Sequence, residues 1–299
     1  MIKKHRAKVM NKLQNKTAII TGASRGLGLE IAKEYSRNGA DLVICSRNRD
    51  AIEAAAAQIR NCRSDVEQAV IPVAADITDE DDIDNVIKTA VKELGGLDVL
   101  VNNAAIQGPI GRIENNDWGE WKRTISADLT GPAYLMRCAI GHFKKNGRHG
   151  KIINISGGGA TGSRPNFSAY AAAKTAIVRL TEILADENKD YGIDINAIAP
   201  GAMRSAMTDE ILNAGESAGE KEIQTANKLI SNGDDSMGIA VKLALFLAGD
   251  ESNGITGRLI SAKWDKWDLF PKIMDELPGS DVYTLRRISA RDRGYDWDV

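Results

Sequence analysis

From Thr17 onward, short apolar runs rich in β-branched residues alternate with amphipathic stretches. The runs are Ala18–Ile20, Leu42–Cys45, Val70–Val73, Val99–Val101, Ile152–Ile155, Ile193–Ile198 and Leu259–Ile260. The stretches with helical spacing are Leu27–Arg37, Ala51–Ile59, Asp82–Glu93, Trp118–Phe143, Ala169–Asp186 and Met237–Leu247. In the first of them Leu27, Ile31 and Tyr35 fall on one face. Near-continuous apolar strands joined through helices predict an α/β fold, a doubly wound parallel sheet in a single domain with both faces covered. Asp79, followed by the acids Glu80–Asp82, predicts an N-cap for the third helix, with negative charge at its positive end.

Three segments stand apart. Met1–Lys16 carries six Lys/Arg and no acid, and no apolar core segment follows it, so a solvated basic arm is expected rather than a secretory signal. Thr208–Ser236 is a polar insertion between a strand and the last helix. Residues 264–299, Trp264–Val299, follow the last strand and hold three of the five tryptophans. That is too aromatic for a solvated tail, and packing on the body or on a neighbouring subunit is expected. The pattern thus divides into an arm (1–16), a body (17–263, with the insertion at 208–236) and an extension (264–299).

Composition narrows the classes. A formal net charge of −2 over 299 residues supplies no basic field for nucleic acid. No apolar run is long enough to span a bilayer, so no membrane partner is expected. Cys45, Cys62 and Cys138 are too few and too irregularly spaced for a disulfide framework or a zinc site, and a cytoplasmic location is the expectation. His5, His142 and His149 are scattered, and no metal is expected.

The chemistry begins at Thr17–Gly28, Thr-Ala-Ile-Ile-Thr-Gly-Ala-Ser-Arg-Gly-Leu-Gly. A strand, a glycine turn and a helix suit a dinucleotide pyrophosphate, because glycines let the backbone approach the phosphates and the helix N-terminus offers free N–H groups. The second strand ends in Cys45-Ser46-Arg47-Asn48-Arg49, with no acid to accept from a ribose 2′-hydroxyl. Arg47, Arg49 and Arg25 could instead meet a 2′-phosphate, which favours NADP over NAD, the alternative being ordinary surface charges. Asp76 and Asn102-Asn103-Ala104-Ala105 sit where parallel strands end. Tyr170-Ala-Ala-Ala-Lys174 places a phenol and an ammonium on one helix face, where the amine can loosen the phenolic proton.

With the spacing Thr-Gly-x-x-x-Gly-x-Gly, Asp76, Asn-Asn-Ala-Ala, Tyr-x-x-x-Lys and the order of elements, the chain resembles the short-chain dehydrogenase/reductase family in its compact form, from Thr17 to Ser261. The resemblance implies an NADP(H)-dependent oxidoreductase acting on the carbonyl or secondary alcohol of a polar, sugar- or acid-derived small molecule. It implies cofactor contacts from Gly22, Ser24, Arg25, Gly26, Leu27, Gly28, Ser46, Arg47, Asp76, Ile77, Asn103 and Ala104. Pro200 and Gly201 would pass the nicotinamide, with Ser205 near its carboxamide. Tyr170 would exchange the proton, and Lys174 would hold the ribose and lower the tyrosine pKa. A homodimer or homotetramer through the Trp118–Phe143 helix and the tyrosine helix is also implied.

The chain departs from the family at several points. The family's active-site serine falls on Gly157, with Ser156 one position early and, by strand alternation, turned away. The family's helix asparagine falls on Asp128. Ala105 replaces a glycine, and the last strand continues as Ile260-Ser261-Ala262-Lys263-Trp264. Asp128 and Ser156 complete the candidate catalytic set with Tyr170 and Lys174, while amides of the triple glycine, Thr161 or Ser163 could supply the missing donor. A second class stays open, a catalytically weak NADP-binding sensor or structural subunit. Arg164, Asn166 and Arg204 are candidate substrate contacts, Thr208–Ser236 the expected lid, and Trp264, Trp267 and Phe270 the expected walls.

Overall fold

A computed structural model describes residues 11–232 and 236–297. The apolar runs become β1 (Thr17–Thr21), β2 (Asp41–Ser46), β3 (Val70–Ala74), β4 (Val99–Asn102), β5 (Lys151–Ile155), β6 (Asp194–Ala199) and β7 (Leu259–Ser261). They form one parallel sheet in the order β3-β2-β1-β4-β5-β6-β7, a doubly wound α/β fold of a single domain. Alternation divides the strand residues between two cores. Ala18, Ile20, Leu42 and Ile44 face α1 (Gly26–Arg37), α2 (Arg49–Arg60) and α9 (Ser236–Ala248). Ile19, Val43 and Leu100 face α3 (Glu80–Leu94), α5 (Gly131–Asn146) and α6 (Ser168–Asn188). The chain winds outward through β2 and β3, then returns to lay β4 beside β1, so a crevice opens at the C-terminal ends of β1 and β4. Asp79 caps α3 as expected, accepting from the amides of Asp81 and Asp82.

The stretch expected as one helix, Trp118–Phe143, is broken. α4 (Trp118–Ile125) leads into a π-helical turn, Ser126–Thr130, before α5 begins. Pro132 has no N–H to return to the carbonyl four residues back, that of Asp128. The hydroxyls of Thr124, Ser126 and Thr130 each bond a carbonyl four residues earlier. A locally widened turn accommodates both. The wide turn carries Asp128, which is buried.

The insertion is helical. α7 (Ala206–Ala214) and α8 (Glu220–Asn232), with Ala218 in the turn between them, bury Ile211, Ala218 and Ala226 against Phe167, which precedes the tyrosine helix. The basic arm also departs from expectation where it is described. Leu13 is fully buried in the main core, and Lys12 and Lys16 pair with Glu251 and Asp250. Residues 1–10 of the arm, 233–235 of the insertion and 298–299 of the extension lie outside the described residues. Among the described residues no helix is long and apolar enough to cross a membrane, and no cluster of His, Cys, Asp or Glu could hold a metal ion.

The extension folds back along β7. The Leu259 amide donates to the Tyr283 carbonyl (2.8 Å), and Phe270 and Leu277 enter the core. Arg258, itself buried, donates to the carbonyls of Leu277, Pro278, Ser280 and Val282. Further along, Leu285 is held on α6, its amide by Glu182 (2.6 Å) and its carbonyl by Arg179. Hydrogen bonds from a charged donor each contribute about 1.5–3 kcal/mol. Arg258→Ala is therefore expected to lower stability by about 3 kcal/mol and to make residues 277–285 cleavable in limited proteolysis while the rest of the chain stays resistant.

Candidate active site

The glycine turn between β1 and α1 is held by the end of β4. Thr21 Oγ1 accepts from the amides of Asn103 and Ala104 (3.0 Å each), and Asn103 Nδ2 donates to the Thr21 carbonyl (2.9 Å). Gly22 has φ +64°, and a Cβ there would stand 2.8 Å from Ala104 Cα. A Cβ on Gly28 would overlap Asn103 Nδ2 and stand 2.7 Å from the Gly22 carbonyl. Arg25 occupies the N-cap of α1 without a side-chain cap, and the first turn holds no acid. Its open N–H groups, beside the partly exposed Ser24 and the exposed Arg25, fit an anion such as a pyrophosphate. Leu27 is buried in the core, so only its backbone is available to a ligand.

Next along the crevice, Ser46 bonds the Asn48 carbonyl (3.3 Å), Asn48 caps α2, and Arg47 is exposed. Asp76 accepts from the amide and hydroxyl of Thr78 on Oδ1 and donates its own amide to Asp82 (2.8 Å). Its Oδ2 has no protein donor among the described residues. Ile77 is buried beside it.

Tyr170 and Lys174 lie one turn apart on the buried face of α6. The Lys174 ammonium donates to the Ile155 carbonyl (3.0 Å) and stands 3.5 Å from Asp128 Oδ2. It is 5.5 Å from the centre of the Tyr170 ring. The pair is enclosed, with 4 % of the Lys174 side chain and none of Asp128 exposed. Asp128 is fixed through Oδ1, which accepts from the Ile106 amide (2.9 Å). Burial raises the Asp128 pKa, and the Lys174 charge opposes that rise.

The tyrosine itself departs from expectation. Burial raises the Tyr170 pKa; Lys174 lowers it, Asp128 raises it further and Arg164 lowers it. The net direction in the chain alone is upward, because burial outweighs the Lys174 charge, and the Asp128 carboxylate facing that ammonium adds to the rise. Ser156 bonds the Lys174 carbonyl (3.5 Å), which occupies its hydroxyl on the backbone of α6. Gly157 is a close approach: a Cβ there would overlap the Tyr170 hydroxyl. The phenol thus fills space that a side chain at 157 would need. The amides of Gly157, Gly158 and Gly159 have no acceptor among the described residues, whereas Thr161 and Ser163 are exposed.

On the substrate side, Arg164 stacks on Phe167 (4.0 Å) and lies over the Tyr170 ring (5.4 Å). Its guanidinium is gripped by Glu222 of α8, at 3.2 and 2.8 Å. The expected anion contact is therefore taken by a carboxylate of the chain itself. Asn166, at φ +70°, accepts from the Gly111 amide (2.8 Å). Arg204 is exposed after Pro200 and Gly201, and Ser205 stands at the N-cap of α7, its amide donating to Thr208 Oγ1 (3.1 Å). The aromatic walls are spent elsewhere: Trp267 packs on Phe246 and Phe270 on Tyr283, while Trp264 is exposed. Two residues escaped sequence reasoning. Glu222 gave no signal in a charged, polar helix. Gln107 is buried with its Nε2 unpartnered among the described residues, and only its place just after Asn102–Ala105 hinted at a role.

The family model for the short chain dehydrogenase matches residues 16–215. The chain is 32% identical over 253 residues to a D-beta-hydroxybutyrate dehydrogenase of Rhizobium meliloti, covering 82% of this chain and 96% of that protein. It is 32% identical over 268 residues to a galactitol 2-dehydrogenase of Agrobacterium fabrum, covering 86% and 99%. Among solved structures, an NAD+-bound xylitol dehydrogenase superposes with a TM-score of 0.75 at 24% identity, covering 84% of this chain and 98% of that one.

Gly28→Ala must displace either Asn103 or the Gly22 carbonyl. Overpacking of this kind costs about 1–3 kcal/mol, so calorimetry is expected to show a lowered Tm, and titration calorimetry a weakened affinity for a dinucleotide.

Proposed function

The chain belongs to the short chain dehydrogenase family and is an oxidoreductase, and on that premise we propose that it moves a hydride between NADP(H) and the carbonyl or secondary-alcohol carbon of a polar small molecule. The observation that carries this reading is the buried Tyr170–Lys174 pair at the C-terminal end of the sheet, on the same edge as the braced glycine turn.

The glycine turn and the N-terminus of α1 would hold the pyrophosphate, Asp76 the adenine side, and Pro200, Gly201 and Ser205 the nicotinamide end. When bound, the nicotinamide supplies or accepts the hydride. Tyr170 holds a proton at its Oη and passes it to the carbonyl oxygen in reduction, or takes one from the alcohol in oxidation. Lys174, anchored to the Ile155 carbonyl, sets the position of the charge beside that phenol. Gly157 stands beside the phenol where a serine hydroxyl is absent, and the amides of Gly157–Gly159 would donate to the substrate oxygen. The lid of α7 and α8, clamped through Arg164–Glu222, would exclude water from the site.

Support for NADP comes from the end of β2, where Ser46 and the exposed Arg47 stand with no acid. A polar substrate is supported by the polar lid and by Arg204, and the two relatives, named for a hydroxy acid and a sugar alcohol, agree with it. The sensor or structural-subunit reading has no observation of its own in its favour, because Tyr170 and Lys174 are both retained.

Tyr170→Phe is expected to cut turnover by about 10²–10⁴-fold while dinucleotide affinity stays unchanged; an active variant overturns the assignment. Arg47→Ala is expected to weaken NADPH binding by about tenfold and to leave NADH binding as it was, measured by quenching of the protein's tryptophan fluorescence.

A further inference from the structure

Two cations approach the Tyr170 ring, and each is met by a carboxylate. From its own helix comes Lys174, which stands 3.5 Å from Asp128 on the π-helical turn. From the loop before α6 comes Arg164, held by Glu222 of the lid helix at 2.8 Å. Lys174, Asp128 and Arg164 are the charged groups acting on the phenol, and Glu222 stands behind Arg164. The Asp128 carboxylate is held through Oδ1 by the Ile106 amide, with Oδ2, buried and otherwise unpartnered among the described residues, facing the ammonium. Held by the Ile155 carbonyl, the Lys174 ammonium stands 5.5 Å from the centre of the Tyr170 ring.

We infer that Asp128 is a positioning residue that takes up the charge of Lys174, so that Tyr170 keeps its proton through neutral pH and the site is set to give a proton to a carbonyl. The inference rests on the oxidoreductase reading and deepens it by assigning the direction each pH range favours. In reduction the substrate carbon accepts the hydride, the former carbonyl oxygen takes the Tyr170 proton, and the phenolate recovers a proton from water. In oxidation the phenol must first be ionised, so that direction gains rate only as pH rises towards the Tyr170 pKa. The sign follows from the charges: a carboxylate near the phenol disfavours the phenolate, and removing it favours the phenolate.

The test is an ultraviolet titration of the ionised phenol in the full chain without nucleotide, taking the difference between each protein and its Tyr170→Phe counterpart. In the unmodified chain Tyr170 is expected to ionise above the ordinary phenol value of about 10. In Asp128→Asn, whose amide oxygen still accepts from Ile106, the midpoint is expected to fall by about one pH unit or more. The pH profile of alcohol oxidation is expected to move down by the same amount. An unmodified chain that titrates below the ordinary value overturns the inference, whether or not the variant folds. So does an Asp128→Asn midpoint that does not move. A midpoint that falls in proteins showing no turnover supports the ion-pair assignment and overturns the oxidoreductase reading instead.

Discussion

The buried ammonium of Lys174 ties three parts of the molecule together. It bonds the end of β5 through the Ile155 carbonyl, pairs with the π-helical turn through Asp128, and projects from α6 one turn beyond Tyr170. A charge so enclosed persists only where it is paired and hydrogen-bonded. Each of the three elements is therefore constrained by the needs of one side chain. A second polar chain runs below it, where Asn102 of β4 donates to Asn154 of β5 (2.9 Å) and Asn154 donates to Thr181 of α6 (2.8 Å). The tyrosine helix is thus pinned to the sheet by polar contacts at two levels, with apolar packing around them.

The same anchoring explains how a glycine can stand beside the phenol. Gly157 lies two residues beyond the end of β5, close to the tyrosine of α6. The Tyr170 hydroxyl then rests where a Cβ would be. An absent serine leaves no gap, because the tyrosine and the backbone close it.

The insertion and the extension divide the remaining surface. α7 and α8 close over the tyrosine side through Phe167 and the Arg164–Glu222 pair. The extension instead lies along β7 and α6, where Arg258 gathers carbonyls and Leu285 is held by Glu182 and Arg179. It satisfies the open edge of the sheet, which would otherwise offer unpaired backbone groups. Its aromatic rings serve that docking, which is why they do not reach the cleft.

The sequence by itself determined the seven strands, their parallel pairing, the glycine turn and the phenol–amine spacing, because these depend on local periodicity and on offsets of a few residues. Asp79 as a cap is legible for the same reason, whereas the hold of Asn103 on the glycine turn is a tertiary contact. Tertiary structure decided which charges meet. Asp128 and Lys174, or Arg164 and Glu222, are far apart in sequence, and their pairing depends on a widened helical turn and a lid that pattern alone did not resolve. The direction of the Tyr170 shift followed from that geometry: an amine one turn away loosens a phenolic proton, but burial together with a carboxylate on the amine holds it on.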